Sequence, residues 1–324
     1  MKSRLKERVA VVATLFLCFF DPRVLLAQES ASTTKGLGTE ASSFDPAQPN
    51  IPPVANARKS SENWLPEDID ATVPAVSNAV GCPLPTVLHG AAQRVVELVK
   101  NVDRFTATEV LEHQDVNSSG LVGRPVTVKF DYLVSVAEGR DGSLNVEELR
   151  NRGKSLASFP NGIATIGTPS MVLIFHPQYI GDFRTQCEGL GEWHGQLAWQ
   201  VRFEQRSDRP SRMCSFVVNR KNYEVKLRGR AWILADSLQV ARIETDLIQP
   251  IPAIRLFVNH EIIEYRPVKF AAGNLNLWLP FSAELYVDLL GHRFYRKHAF
   301  SDFKIFSVDM QYRTRDPKET TLTQ

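Results

Sequence analysis

The chain has 324 residues, with 38 Lys and Arg against 36 Asp and Glu, and a formal charge of +2. Its charges are dispersed and not gathered in runs, which excludes a basic face for nucleic acid or anionic lipid. Four cysteines are too few for a disulfide scaffold but enough to carry one bridge.

Lys2, Arg4, Lys6 and Arg8 precede an uncharged block over 9–20, and Leu25-Leu26-Ala27 leads into Gln28. That order and proportion is a secretory signal peptide over residues 1–27. A membrane span takes ~20 apolar residues, and Asp21 closes this block early, so export is expected rather than a retained anchor. Cys18 follows Leu17, where a lipid-attachment site needs a small residue, and it leaves with the leader. Removing the leader takes away five basic and two acidic side chains and leaves a formal charge of −1. Cys82, Cys187 and Cys214 remain, an odd number in an oxidising compartment. The expected bridge is Cys187 to Cys214, which flank the strand around Trp199; three unpaired buried thiols are the alternative.

Residues 28–80 are rich in Ser, Thr, Ala and Pro and poor in large apolar side chains, so they cannot offset their ordering entropy and read as a disordered tether. Trp64-Leu65-Pro66, followed by Glu67, Asp68 and Asp70, has the makings of a short docking motif for an envelope partner, although one aromatic in a tether is more often incidental. Prolines at 83 and 85 then open a helix to Phe105, with Leu88, Ala91, Ala92, Val95, Leu98, Val99, Val102 and Phe105 on one stripe. Such a stripe needs cover, which the strands that follow must provide.

After Phe105 the apolar period changes to two. Strands are expected at Thr106–His113, Val126–Val136 and Leu144–Arg150, the last two joined by a turn at Asp141-Gly142. Residues 151–195 are the least regular, with Thr168-Pro169 opening a short helix through Met171–Phe175 that Pro177 stops. Alternation resumes at Leu197–Phe203, Tyr223–Leu227, Ala241–Leu247, Ile254–Phe270, Leu277–Leu289 (with Phe281, Ala283, Leu285 and Val287 in phase) and Phe294–Val308. The count is nine to eleven strands and at most two helices. The expected fold class is α+β, a curved antiparallel sheet wrapped around one long and one short helix, in a single domain over 81–312 with a polar tail over 313–324.

The catalytic patterns weighed are weak. His260-Glu261-Ile262-Ile263-Glu264 opens like a zinc-protease motif but lacks its second histidine and has strand character. Cys187 with His194 suggests a nucleophile and base, yet a thiol with another cysteine at hand in an exported protein is more often bridged. His113 with Asp115, and His292 with His298, read as surface groups. No enzyme, metal or cofactor is expected.

At 102–112 (VDRFTATEVLE), at 229–242 (GRAWILADSLQVAR), at Ile263-Glu264-Tyr265 and over the strand 279–285, the chain resembles the periplasmic lipoprotein-carrier superfamily, the LolA, LolB and RseB type. The resemblance covers roughly residues 85–308 and implies an unclosed half-barrel whose concavity takes acyl chains or hydrophobic peptides. The reading is an exported, periplasmic or secreted carrier or sensor for a lipid, acyl chain or lipoprotein. Phe130, Tyr132, Phe175, Trp199, Phe203, Ile243, Ala283 and Leu285 are the candidate ligand-binding residues, and Met171–Phe175 is a candidate second plug or lid. An envelope interaction protein with a filled core is the alternative, and an outer-membrane barrel a weaker one.

Overall fold

The computed structural model describes residues 9–12, 64–77, 80–102, 104–139, 143–150, 159–270 and 275–306. The leader cleavage site, the tether as far as 63, the turns at Asp141-Gly142 and Gly273-Asn274 and the polar tail lie outside the described residues. The elements are β1 (Val9–Val12), α1 (Leu84–Asn101), β2 (Arg104–Val116), β3 (Val126–Glu138), β4 (Leu144–Arg150), β5 (Ile163–Ala164), β6 (Phe183–Trp193), β7 (Gln196–Gln205), β8 (Ser215–Val218), β9 (Lys221–Glu224), β10 (Leu227–Leu234), β11 (Val240–Leu247), β12 (Val258–Phe270), β13 (Leu275–Leu289) and β14 (His292–Phe306).

Ten strands form one antiparallel sheet in the order β4-β3-β2-β14-β13-β12-β11-β10-β7-β6, and β5-β1-β8-β9 form a second, small sheet. The end strands β4 and β6 do not meet. The protein is therefore an α+β unclosed half-barrel, and the outer-membrane barrel expectation is overturned, because a barrel in lipid must pair its last strand with its first. Alternation explains the one-sided burial: in β2, Phe105, Ala107, Glu109, Leu111 and His113 all face the buried side.

Helix α1 has a proline at its first turn and buries Val87, Gly90, Ala91 and Val95. It stops at Asn101, short of Phe105, which begins the buried row of β2. Residues Thr168–Phe175 form an eight-residue 3-10 helix, here called the plug, whose Met171, Val172, Leu173, Ile174 and Phe175 are all buried. The plug lies in the concavity with α1 packed on it.

Three expectations need correction. Tyr223–Leu227 is not one strand: it breaks at Val225-Lys226, where Val225 N–H donates to Cys214 O at 3.0 Å, so its halves serve different sheets. Phe281 is out of phase and 37% exposed, because the β12–β13 register shifts there, with Glu264 opposite Ser282 and Tyr265 opposite Pro280. Pro280 cannot donate to the ladder, and the extra residue forms a bulge. The bridge joins Cys82 to Cys187, with Cα atoms 6.3 Å apart, while Cys214 is buried and free.

The disulfide differs because residues 64–77 are not loose: they form a strap across the convex face. Ile69 is buried; its N–H donates to Asp246 Oδ2 at 2.9 Å and its carbonyl accepts from Arg230 Nη1 at 2.8 Å. Asp70 takes both arms of Arg202 at 2.8 Å, and Asp68 pairs with Arg228. Ser77 N–H donates to Leu190 O on β6 at 2.7 Å, which brings the strap alongside the strand that carries Cys187. Two glycines of β6 permit that approach: a Cβ at Gly189 would stand 2.9 Å from Val76 Cβ, and one at Gly191 3.2 Å from Ala75 O.

Two outcomes follow from this packing. Peptide mapping without reduction gives a Cys82–Cys187 linked pair, and Cys214 resists alkylation until the chain unfolds, because burial suppresses its thiolate. Val95→Asp costs several kcal/mol of stability, on the order of the ~2–7 kcal/mol for an unpartnered buried polar group, whereas Gln93→Asp on the exposed face stays within about 0.5 kcal/mol. Equal melting temperatures for the two would show that the helix is not packed as described.

Candidate functional site

All eight candidate ligand-binding residues are buried, seven on the concave face of the sheet and Phe175 on the plug laid against it. The structure gathers Phe175, Trp199, Phe203, Ile243, Ala283 and Leu285 into one cluster with the plug, while Tyr132 belongs to a second cluster and Phe130 to a third. Phe175 meets Phe203 edge-on at 6.1 Å, and Phe130 stacks on Phe159 at 5.1 Å. None of the six faces open space. Of the two roles expected for Met171–Phe175, plug or lid, the segment takes the first: it sits inside the concavity and fills it.

The open apolar ground is elsewhere, in a seam between α1, the plug and the sheet. Leu98, Val99 and Val102 line one side, Phe105, Val134, Val136 and Val146 another, and Val172, Tyr265 and Leu279 the floor. Leu98, Val99, Val136 and Val146 are only partly buried. The seam encloses about 30 Å³, roughly the volume of one water. The helical stripe pointed to Leu98, Val99 and Val102; Val136 and Val146 were visible only as ordinary strand residues.

Beside the seam, the concave face carries charge that alternation alone did not reveal. Arg150 on β4 makes two hydrogen bonds to Glu109 on β2, at 2.5 and 3.0 Å, and His298 on β14 lies 2.6 Å from the same carboxylate. Burial by itself would raise the Glu109 carboxyl, but Arg150 and His298 hold it down at about 2. His298 is buried and its charge disfavoured, so it is neutral, with Nδ1–H donating to Glu109 and Nε2 free to accept from Thr165 Oγ1 at 3.2 Å. Arg296 donates to Ile163 O at 2.7 Å, Pro160 O at 2.9 Å, Thr165 Oγ1 at 3.2 Å and His113 Nδ1 at 3.1 Å. His113 and His298 are thus not surface groups: each sits on the inward row of its strand, 1% and 0% exposed.

This cradle clamps the segment that carries the plug. Glu148 accepts from Gly167 N–H at 2.5 Å and from Tyr132 Oη at 2.8 Å, fixing the turn just before Thr168. Thr168 Oγ1 donates to Glu261 at 3.4 Å. Burial, reinforced by Glu148, pushes the Glu261 carboxyl up to about 7. Thr165, His298 and Glu109 do line up as hydroxyl, imidazole and carboxylate, the order of a nucleophile and its base. All three are buried and the hydroxyl already accepts from Arg296, so the array works as a clamp.

His260 and Glu261 are neighbours on a strand and so point to opposite faces. His260 contacts Asp246 at 2.9 Å on the strap side while Glu261 meets the plug, so the pair cannot share an ion. Cys187, in its bridge, is not available as a nucleophile to His194. On the convex side a groove of about 320 Å³ runs between the strap and Trp193, Trp232, Arg242 and Glu244. Arg242 covers both indoles, 5.0 Å above each ring centre.

No family model matches the chain, and no curated protein matches it by sequence. It is similar in structure to a DUF1329 family protein from Desulfovibrio piger, at 11% identity over 69% of this chain and 94% of that one, TM-score 0.38. A LolA superfamily protein from Nitrosomonas europaea is similar at 10% identity over 70% and 96%, TM-score 0.34. A domain assigned to outer membrane lipoprotein sorting, from Vibrio parahaemolyticus, is similar at 11% identity over 67% and 91%, TM-score 0.36.

Glu261 gives the site a pH signature. The folded carboxyl holds its proton to about pH 7, whereas an ordinary one releases it near 4.5. Its contribution to stability is fully present below about 4.5 and is lost as pH rises through 7, by at most about 3 kcal/mol. Glu109 runs the other way, losing its contribution only as pH falls from 4.5 towards 2. Burial lowers His260, but Asp246 and Glu244 outweigh it and raise it from 6.5 to about 9, so its contribution is lost between those values, mostly above the window in question. Between pH 5 and 7 the melting temperature of the native chain therefore falls relative to that of Glu261→Gln, in which the raised Glu148 and the lowered His113, His176 and His298 still titrate. Parallel curves would show that Glu261 titrates as an exposed carboxyl does.

Proposed function

We propose that this is an exported, non-enzymatic carrier or sensor of the cell envelope that takes an acyl chain, of a lipid or a lipoprotein, into the seam between α1 and the sheet. The observation that carries the reading is the seam's chemistry. It is lined almost wholly by aliphatic and aromatic side chains, and four of them are partly exposed at its mouth beside a charged cradle that keeps the rest of the concavity shut.

Ligand pockets run to ~300–1,000 Å³, so α1 has to move outward before a chain can enter a space of about 30 Å³. Helix α1 is suited to that movement. A helix satisfies its backbone internally, and among the described residues α1 is tied across to the sheet side by a single side-chain hydrogen bond, Arg94 Nε to Ser237 O at 2.9 Å. The plug beneath it stays clamped through Gly167 and Thr168, and so supplies a fixed apolar floor. Periplasmic or secreted localisation, a tether from 28 and a folded unit that takes in the strap from Trp64 as well as 81–312 belong to the same proposal, supported by the strap's bonds to Asp246 and Arg230.

The filled core supports a second reading, an envelope interaction protein that uses its strap and sheet rim, since every aromatic expected around a ligand is already packed, in one of three clusters.

A fluorescent fatty acid titrated into delipidated protein separates the two. The carrier reading gives saturable binding that Val136→Trp, at the mouth of the seam, weakens about tenfold without shifting the melting temperature, a loss of about 1.4 kcal/mol. Folded protein with no saturable acyl-chain binding would leave the interaction reading.

A further inference from the structure

In the small sheet the leader strand β1 is a central strand. Val9, Ala10, Val11 and Val12 pair antiparallel with Val218, Val217, Phe216 and Ser215 of β8, and Val9 and Ala10 pair parallel with Ile163 and Ala164 of β5. Take β1 away, as cleavage near Gln28 does, and β5 and β8 face each other across two strand spacings, about 10 Å. That is too wide for N–H to reach C=O. Each wall then presents unpaired backbone groups at a buried site, which costs free energy until something pairs with them.

Neither wall is free to close the gap. β5 is two residues long and is held from the large sheet: Arg296 donates to Ile163 O at 2.7 Å and, on either side of the strand, to Pro160 O and Thr165 Oγ1. β8 is held on its far edge by β9, from Ser215 opposite Glu224 to Val218 opposite Lys221. Its Phe216 and Val218 are anchored in the main core. Both anchors are independent of β1, so the slot outlasts its occupant.

We propose that this slot is a docking site for an extended aliphatic segment of a partner polypeptide, which adds as a strand between β5 and β8 where the leader lies in the uncleaved chain. The chemistry selects a peptide over an acyl chain, because the walls offer backbone donors and acceptors that a hydrocarbon cannot satisfy. The buried neighbours Ile163, Ala164, Phe216 and Val218 ask for side chains of the size found in Val-Ala-Val-Val. The inference rests on the export reading, since the slot opens only where the leader has gone.

The test uses protein recovered from the host's own envelope, with its N-terminus read by mass spectrometry, and a labelled peptide of residues 7–14. Leader-free protein binds the peptide saturably, and amide exchange slows within Ser215–Val218 and Ile163–Ala164. The same peptide with Val11→Pro, which loses an N–H and cannot continue a central strand, binds at least about tenfold more weakly. No binding by folded, leader-free protein overturns the proposal, as does equal affinity for the proline peptide, which would mean a merely apolar groove. An N-terminus at Met1 overturns the export reading instead. In that protein the slot is already filled, so Ser215–Val218 is protected without peptide and the peptide is excluded; binding by leader-bearing protein overturns the slot.

Discussion

An open sheet of ten strands has one requirement above all others: its concave face must be covered. One amphipathic helix of eighteen residues cannot cover it, and here the cover is completed by a short 3-10 helix laid into the concavity under α1. An eight-residue 3-10 helix has poor hydrogen-bond geometry and little stability of its own, so it holds its place only because its surroundings fix it. The fixing is done by charge. Glu148 takes the Gly167 amide before the plug, Glu261 takes Thr168 at its start, and Arg296 takes the carbonyls upstream.

Burying that many ionisable groups is costly, and a hydrophobic cradle of the same shape could be as stable. What the charges add is direction. A guanidinium that must find Ile163 O, Pro160 O and Thr165 Oγ1 at once specifies one placement of the segment above it, where an apolar contact would tolerate several. The same arrangement divides the concavity in two. Its polar half is locked, while its apolar half, where α1 and strands β2, β3 and β4 line the seam, is closed among the described residues by side-chain packing and the single Arg94–Ser237 hydrogen bond. Movement of α1 as proposed would open one side while the other stays rigid, an arrangement better suited to capture of an apolar chain than a uniformly packed core.

The convex face follows a different logic. The strap is short and lies mostly exposed or half-exposed, so hydrophobic burial contributes little to holding it; Ile69 is its one deeply buried side chain. Backbone hydrogen bonds to Asp246, Arg230 and Leu190, paired arginines on Asp68 and Asp70, and finally the Cys82–Cys187 bridge take over that task. Gly189 and Gly191 let the strap lie directly on β6. A covalent link at one end of a weakly packed segment keeps it near its seat whenever the ion pairs exchange with solvent.

Much of this was legible in residue order. Period-two alternation marked eight of the ten strands of the large sheet to within a few residues, since a half-buried strand has to alternate; β10, buried on both faces from Gly229 to Leu234, and the bulged β6 have no such signature. The proline before Met171–Phe175 placed the plug, and the apolar stripe placed α1. Alternation also misled, because it reports which residues share a face and not what covers that face. Phe130, Trp199 and Phe203 were rightly put on the concave side, yet whether they met a ligand or the plug depended on where 159–182 folded back. Glu109, His298 and Arg296 looked like solvated strand residues for the same reason: each is polar in sequence and becomes a core residue only when its partners arrive from strands 41 to 189 positions away. The disulfide turned on the strap, whose docking depends on arginines of β7 and β10 lying side by side, a juxtaposition created by strand order. Local spacing fixes faces and periods, but pairing across the sheet decides which of them meet.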